Sequence, residues 1–329
     1  MSSILSSADD SFVAADPPAQ PRRGMSPDAL MDAWSGIALR AGALLRDEAA
    51  PDLKPRIHRL DEQVHELAVS EPDASLLWLV HHNTTEPHNY SVLHSLLVAV
   101  VCELAADFLA DVTPQMRLSL RRAALTMNLC ITRLQDELAQ QHSPPSDDQR
   151  DGLDGHGSRA TAQLREAGID DALWLEAVEH HHAAPPGPLA SLAQGLQLAR
   201  LIQQADIYAA RLTPRRARRA LAANDAAKGV YFDERKAPDE AGAAVIKAVG
   251  LYLPGSCVCL RNGDVAVVVR RGELANQPLV ASVATRQGMP FSHPQRRCGG
   301  LPEHDVVAGL LPHQLRVRVA LSQLLRLTR

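Results

Sequence analysis

The run Gly250-Leu251-Tyr252-Leu253-Pro254-Gly255-Ser256-Cys257-Val258-Cys259-Leu260, continuing through Arg261-Asn262-Gly263-Asp264 into Val265-Ala266-Val267-Val268-Val269, divides the chain. Its two apolar stretches flank Asn262-Gly263, a pair that accepts positive φ and so favours a hairpin turn. Pro254-Gly255 just ahead of them marks where the period changes from helical to that of strands. Leu279 to Val283 reads as a third strand and His313 to Leu327 as a closing helix. Upstream, from Ser26 to about Gly250, apolar residues recur at helical spacing. The expected class is mainly α, with a helical domain over 26–250 and a small β-rich module over 251–329. Residues 1 to 25 are rich in Ser, Asp, Ala and Pro without an apolar period, so a disordered tail is expected there.

Within the helical part, Ser26-Pro27-Asp28 has the form of an N-cap, a proline at the first helical position and an acid in the first turn. Thr113-Pro114 and Thr213-Pro214 repeat that start signal. Two segments, Val92 to Leu109 and Pro114 to Leu138, are apolar enough to be central helices buried on most sides. The longest unbroken apolar run, Leu96 to Cys102, falls far short of the roughly 20 residues of a spanning helix. The start Met1-Ser2-Ser3-Ile4 lacks a basic leader, so a cytoplasmic protein without a membrane partner is expected. Five cysteines with no C-x-x-C pair read as buried free thiols in a reducing compartment. A net charge of -4 gives no global sign of nucleic-acid binding, with Arg211, Arg215, Arg216, Arg218 and Arg219 as a local basic exception.

Among 14 histidines, His94 stands out because it sits directly before Ser95-Leu96-Leu97-Val98-Ala99, where water is a poor partner for an imidazole. His156 follows in Gly155-His156-Gly157, then His181-His182 after Val178-Glu179-His180, then Asp206 in Ala205-Asp206-Ile207-Tyr208. Imidazoles and a carboxylate spread over several helices suit a borderline divalent metal such as Fe, Mn or Zn. A single histidine in such a list is as readily a satisfied core or surface residue.

The order carries more: an HS dipeptide opening a buried helix, a lone His about 60 residues later, an HH pair 25 further on, and an AD dipeptide 24 after that. With Tyr90-Ser91-Val92-Leu93-His94-Ser95, Ala123-Ala124-Leu125 and Gly250-Leu251-Tyr252-Leu253-Pro254-Gly255-Ser256, this order resembles the HD-GYP branch of the HD superfamily of metal-dependent phosphohydrolases, over about residues 75 to 285. The resemblance implies an HD-superfamily helical bundle that holds metal ions and hydrolyses cyclic di-GMP. Carried over by position, the metal ligands are His94, His156, His181, His182 and Asp206, and Arg215 and Arg218 hold phosphate. On one helix those arginines stand at i and i+3 and share a face, although a solvated basic helix explains them equally well.

The chain departs from the family where the name-giving pair belongs. Met127 and Asn128 stand in place of the His and Asp, and Ile131 in place of a lysine. A thioether is a poor ligand for such ions and an amide brings an oxygen without its charge. Met127, Leu129 and Ile131 read better as helix packing. The GYP loop is replaced by Ala183-Ala184-Pro185-Pro186-Gly187-Pro188. With Asp206 as the sole carboxylate among the carried-over ligands, at most one metal per chain is expected.

Three functions stay open: a divalent-metal phosphodiesterase acting on cyclic di-GMP or a related nucleotide; a signalling pseudoenzyme of weak or no turnover that binds a cyclic dinucleotide or a signalling protein; and a β module whose basic rim (Arg261, Arg270, Arg271, Arg286) on a small barrel meets an acidic partner. No nucleic-acid partner is expected, and homodimerisation is left open.

Overall fold

The computed structural model describes residues 24–47, 51–185, 187–232, 237–298 and 301–329. The tail expected over 1 to 25 lies outside them except for its last two residues. Among the described residues, twelve α-helices precede a single sheet. They are α1 Pro27–Leu45, α2 Leu53–Ser70, α3 Pro72–Thr85, α4 Tyr90–Ala105, α5 Pro114–Thr126 and α6 Thr132–Gln140. They continue with α7 Asp147–Leu153, α8 His156–Glu166, α9 Ala172–His180, α10 Gln194–Leu212, α11 Ala223–Tyr231 and α12 Glu240–Val249. The mainly α class with a C-terminal β module is the architecture observed.

Two of the three helix starts read from the sequence form, where side chains cap them, whereas Thr213-Pro214 opens no helix: Thr213 is the extended C-cap of α10 and the next helix begins at Ala223. The Ser26 hydroxyl accepts from the Ala29 amide at 3.2 Å, and the Thr113 hydroxyl from Met116 at 3.1 Å. Helix α4 is the axis of the fold, with all 16 of its residues buried. Each fully buried Leu or Val there contributes about 1.5–3 kcal/mol relative to exposure. The stretch Pro87–Phe108 is long and apolar enough to cross a membrane, yet 89% of its apolar window is buried inside the fold, as the core helix of a globular protein requires.

The second expected central helix is broken. Helix α5 ends at Thr126, a 3-10 turn occupies Leu129–Ile131, and α6 resumes at Thr132 with only Thr132 and Ala139 buried. Polar residues on α6 give it a wet face, so it flanks the core rather than crossing it. Helix α5 also brings charge inside. Arg121 pairs with Asp61 at 2.5 Å and with Glu103 at 2.8 Å, and Arg122 reaches the second Asp61 oxygen at 3.1 Å. Asp61 and Glu103 are fully buried, and these guanidiniums supply the compensation that such carboxylates need.

The sheet follows Pro254-Gly255, with β1 Cys257–Leu260, β2 Val265–Arg270, β3 Leu279–Ala284, β4 Pro290–Cys298 and β5 Val306–Leu310. All pairings are antiparallel in the order β4-β3-β2-β1-β5. The Asn262-Gly263 hairpin forms as read, pairing Cys257 with Val267 and Cys259 with Val265. Strand alternation sends Cys257, Val267, Val269, Ala281 and Val283 into the helical core. Val258, Leu260, Ala266, Val268 and Val280 form a second cluster on the opposite face with Tyr252.

Several details of this module correct the sequence reading. The sheet is open rather than a barrel, and strands β4 and β5 carry too little apolar alternation to have been read as strands. The basic rim is divided: Arg271 turns to Asp73 on α3 at 2.7 Å, and Arg261 pairs with Asp305 at 3.3 Å. The expected closing helix is helical only at Pro312–Gln314, as a 3-10 turn, and at Leu321–Leu325 (α13). Between them Leu315-Arg316-Val317-Arg318-Val319 runs as a strap, its apolar residues half-buried and its arginines exposed. That period of two, with β-branched valines, suits extended chain better than helix. Of the thiols, Cys102 and Cys257 are buried as expected, Cys259 is half-buried, and Cys298 on the edge strand β4 is exposed.

Candidate metal centre

Two glycines bring the first histidines together. Gly155 caps α8 with φ +66, and a Cβ on Gly157 would lie 2.7 Å from the Glu179 carbonyl oxygen. The N-terminus of α8 thereby sits directly against the C-terminal turn of α9. His156 opens α8, His181 follows the last residue of α9, and His182 comes next.

The hydrogen bonds fix the tautomers of two rings. His156 Nδ1 lies 2.6 Å from the Leu153 carbonyl and His181 Nδ1 lies 2.6 Å from the Val178 carbonyl. A carbonyl only accepts, so in both rings Nδ1 carries the proton and Nε2 presents a lone pair. Those Nε2 atoms face each other at 3.1 Å, and His182 Nε2 is 3.2 Å from that of His156. Burial, then the neighbouring His182, pushes His181 down to about 3; burial also lowers His156. Both rings are neutral at pH 7, so no proton bridges them.

Opposed lone pairs at this distance repel unless a cation lies between them. A tetrahedral ion with arms of ~2.0 Å has ligand-to-ligand edges of about 3.3 Å, close to both distances. The potential ligand atoms of the three histidines all lie within 4.8 Å of one another. His156, His181 and His182 are therefore a possible three-histidine metal-binding cluster, with backbone carbonyls orienting two of the rings.

The cluster opens on a cleft of about 480 Å³, also lined by Asn128, Asp206 and Arg215. Asp206 projects from α10, and its Oδ1 is 2.6 Å from His94 Nε2 on α4. Burial alone would raise this carboxyl; the His94 bond and charge outweigh it, helped by His182 and His181, and hold it well below its ordinary value. His94 is absent from the cleft wall. It acts on the site through Asp206 and is stacked on Tyr90 at 5.4 Å between centroids. This contact explains how the apolar α4 accommodates an imidazole.

Asn128 is 4% exposed and its Oδ1 has no hydrogen-bond partner. An orphaned buried oxygen on the wall of a histidine cluster is the kind of atom that an ion or a water satisfies. Met127 is fully buried within the apolar core, so packing is its role. The donors that converge are thus the three imidazoles, while Asp206 and Asn128 line the same cleft outside that cluster.

Arg215 lines the cleft with its guanidinium 4.4 Å over the Tyr90 ring. Arg218 turns away and donates to the Ala210 carbonyl at the end of α10. The shared helix face expected for these two arginines is absent. Helix α10 stops at Leu212, and Arg215 and Arg218 instead pair backbone to backbone across a tight turn. Thr213, preceding a proline, is extended, and consecutive turns of arginine would repel on one helix. Two carboxylates escaped the sequence reading, Asp154 and Glu179, both on the cleft wall. Their adjacency to the histidine motifs was the available signal. Comparison with protein families, with curated proteins and with solved structures finds no match to this chain.

Proposed function

We propose that this chain is a diverged HD-GYP-type domain of a cytoplasmic signalling protein, binding one divalent metal ion and turning over cyclic di-GMP weakly or not at all. The observation that carries it is the pair of neutral, buried imidazoles whose Nε2 atoms face each other at 3.1 Å with Nδ1 tied to backbone carbonyls. Family membership rests on the order of the sequence motifs. His156, His181 and His182 would hold the ion, Asp206 would offer it a carboxylate, and His94 would fix that carboxylate. A bound divalent ion supplies Lewis acidity and lowers the pKa of bound water. A second ion in the family's manner needs a bridging acid, and Asn128 supplies none. Arg215 is placed to meet an anion in the cleft, such as the phosphate of a cyclic dinucleotide.

The active phosphodiesterase is the second reading, favoured by Asp154 and Glu179, which add negative charge to the cleft wall. Metal analysis of the purified protein beside a cyclic di-GMP hydrolysis assay separates them. One ion per chain with negligible turnover supports the first reading. Two ions with brisk turnover support the second, and a protein that binds no divalent ion refutes both.

A further inference from the structure

A second cavity of about 710 Å³ lies between α3, the loop after α10, the sheet and the C-terminal strap. Its wall is aliphatic, with Leu77, Val80, Leu212, Val267, Val319 and Leu324 from five different segments. Arg215, Arg218 and Arg219 border it from the loop and Arg318 from the strap. The lining contains neither a carboxylate nor a Phe, Tyr or Trp. Among the described residues, none of the four guanidiniums has a carboxylate partner, and Arg215 Nε is buried without any partner. Partial burial, then the charge of Arg215 and Arg211, holds Arg218 below its ordinary value. Like charges gathered beside an apolar hollow whose own wall carries no counter-charge define a ligand with an anionic head and an apolar body.

We infer that this cavity binds a single-chain aliphatic anion, with its chain among the leucines and valines and its carboxylate or phosphate head on the arginines. The aliphatic body follows from the walls. A nucleobase is bound chiefly by stacking on large aromatic faces, and the only rings on this wall are the small imidazoles of His81 and His313. The volume lies within the range of ligand pockets, ~300 to 1,000 Å³. The site is separate from the histidine cluster, sharing only Arg215 with that cleft.

The test is calorimetric titration of the full chain with dodecyl phosphate below its micelle concentration. Dodecanoate, inorganic phosphate, dodecanol and AMP serve as parallel probes. Dodecyl phosphate or dodecanoate should bind saturably at one per chain, and the preferred head tells a phosphate monoester from a free acid. Inorganic phosphate and dodecanol should each bind about tenfold more weakly or worse, one lacking the chain and the other the charge. Arg219→Glu and Arg318→Glu change exposed residues, so folding, checked by circular dichroism, should persist while affinity falls about tenfold for each. Their metal content should stay at the unmodified level, which keeps this test independent of the histidine centre. Equal binding of dodecanol, unchanged affinity in both variants, tighter binding of AMP, or no saturable binding would each overturn the proposal.

Discussion

Acidification of the metal-free protein tests the environment assigned to His181. Its folded pKa is pushed to about 3 from an ordinary 6.5, chiefly by burial. The unfolded chain therefore takes up this proton first, and stability present above pH 6.5 is lost as the pH falls from there towards 3. At pH 5 the loss is about 2 kcal/mol from this residue alone, approaching about 5 kcal/mol below pH 3. His156, also lowered by burial, adds in the same direction. Urea unfolding at pH 7 and pH 5 in the presence of a chelator measures the difference. The matched variant is His181→Asn, whose amide can still donate towards the Val178 carbonyl but does not titrate. Its stability should fall by about 2 kcal/mol less between the two pH values than that of the unmodified chain. If both proteins lose the same stability, His181 is not the neutral buried imidazole described above, and the argument for a cation between the rings goes with it.

Three further outcomes follow from the same geometry. Asn128→Asp places a charge at the orphaned oxygen and should tighten divalent-metal binding about tenfold by titration, whereas Met127→His puts an imidazole into the core and should lower stability by about 2–4 kcal/mol in urea. Gly157→Ala sets a methyl 2.7 Å from the Glu179 carbonyl, so α8 must move off α9; bound metal by elemental analysis should drop and stability fall by about 1–3 kcal/mol. Asp61→Asn removes the charge that Arg121 and Arg122 share and should cost about 3–5 kcal/mol in urea unfolding, with metal content retained.

Part of the centre was legible because its polar residues stand where the local pattern does not want them. His94 within the apolar α4 demanded a partner, and Asp206 is that partner. Gly155-His156-Gly157 carried its own reason, since the glycines permit the approach that sets His156 against His181. Arg215 and Arg218 misled because i, i+3 spacing means a shared face only on a helix, and Pro214 follows a helix that has already ended. The closing helix read over His313 to Leu327 fails at 315–319, where alternating valines and arginines lie on an extended chain with the valines half-buried and the arginines exposed. Asp61, Glu103 and Arg121 gave no signal, because a buried charge looks like a surface charge until its partners are placed.

Features that depend on neighbours along the chain could be read before the fold was known. Caps at Ser26 and Thr113, the apolar run of α4, the end of the helical part at Gly250 and the Asn262-Gly263 hairpin all follow from backbone sterics and hydrophobic period within a few residues. Tertiary structure alone decided which donors meet: that three imidazoles gather, that His94 serves Asp206 instead of the cleft, that Met127 belongs to the core while Asn128 faces the site. The physical reason is range. Hydrogen-bond and steric preferences act over one or two turns of chain, whereas a metal centre depends on ångström distances between residues up to 112 positions apart. Those distances are set by how whole helices pack.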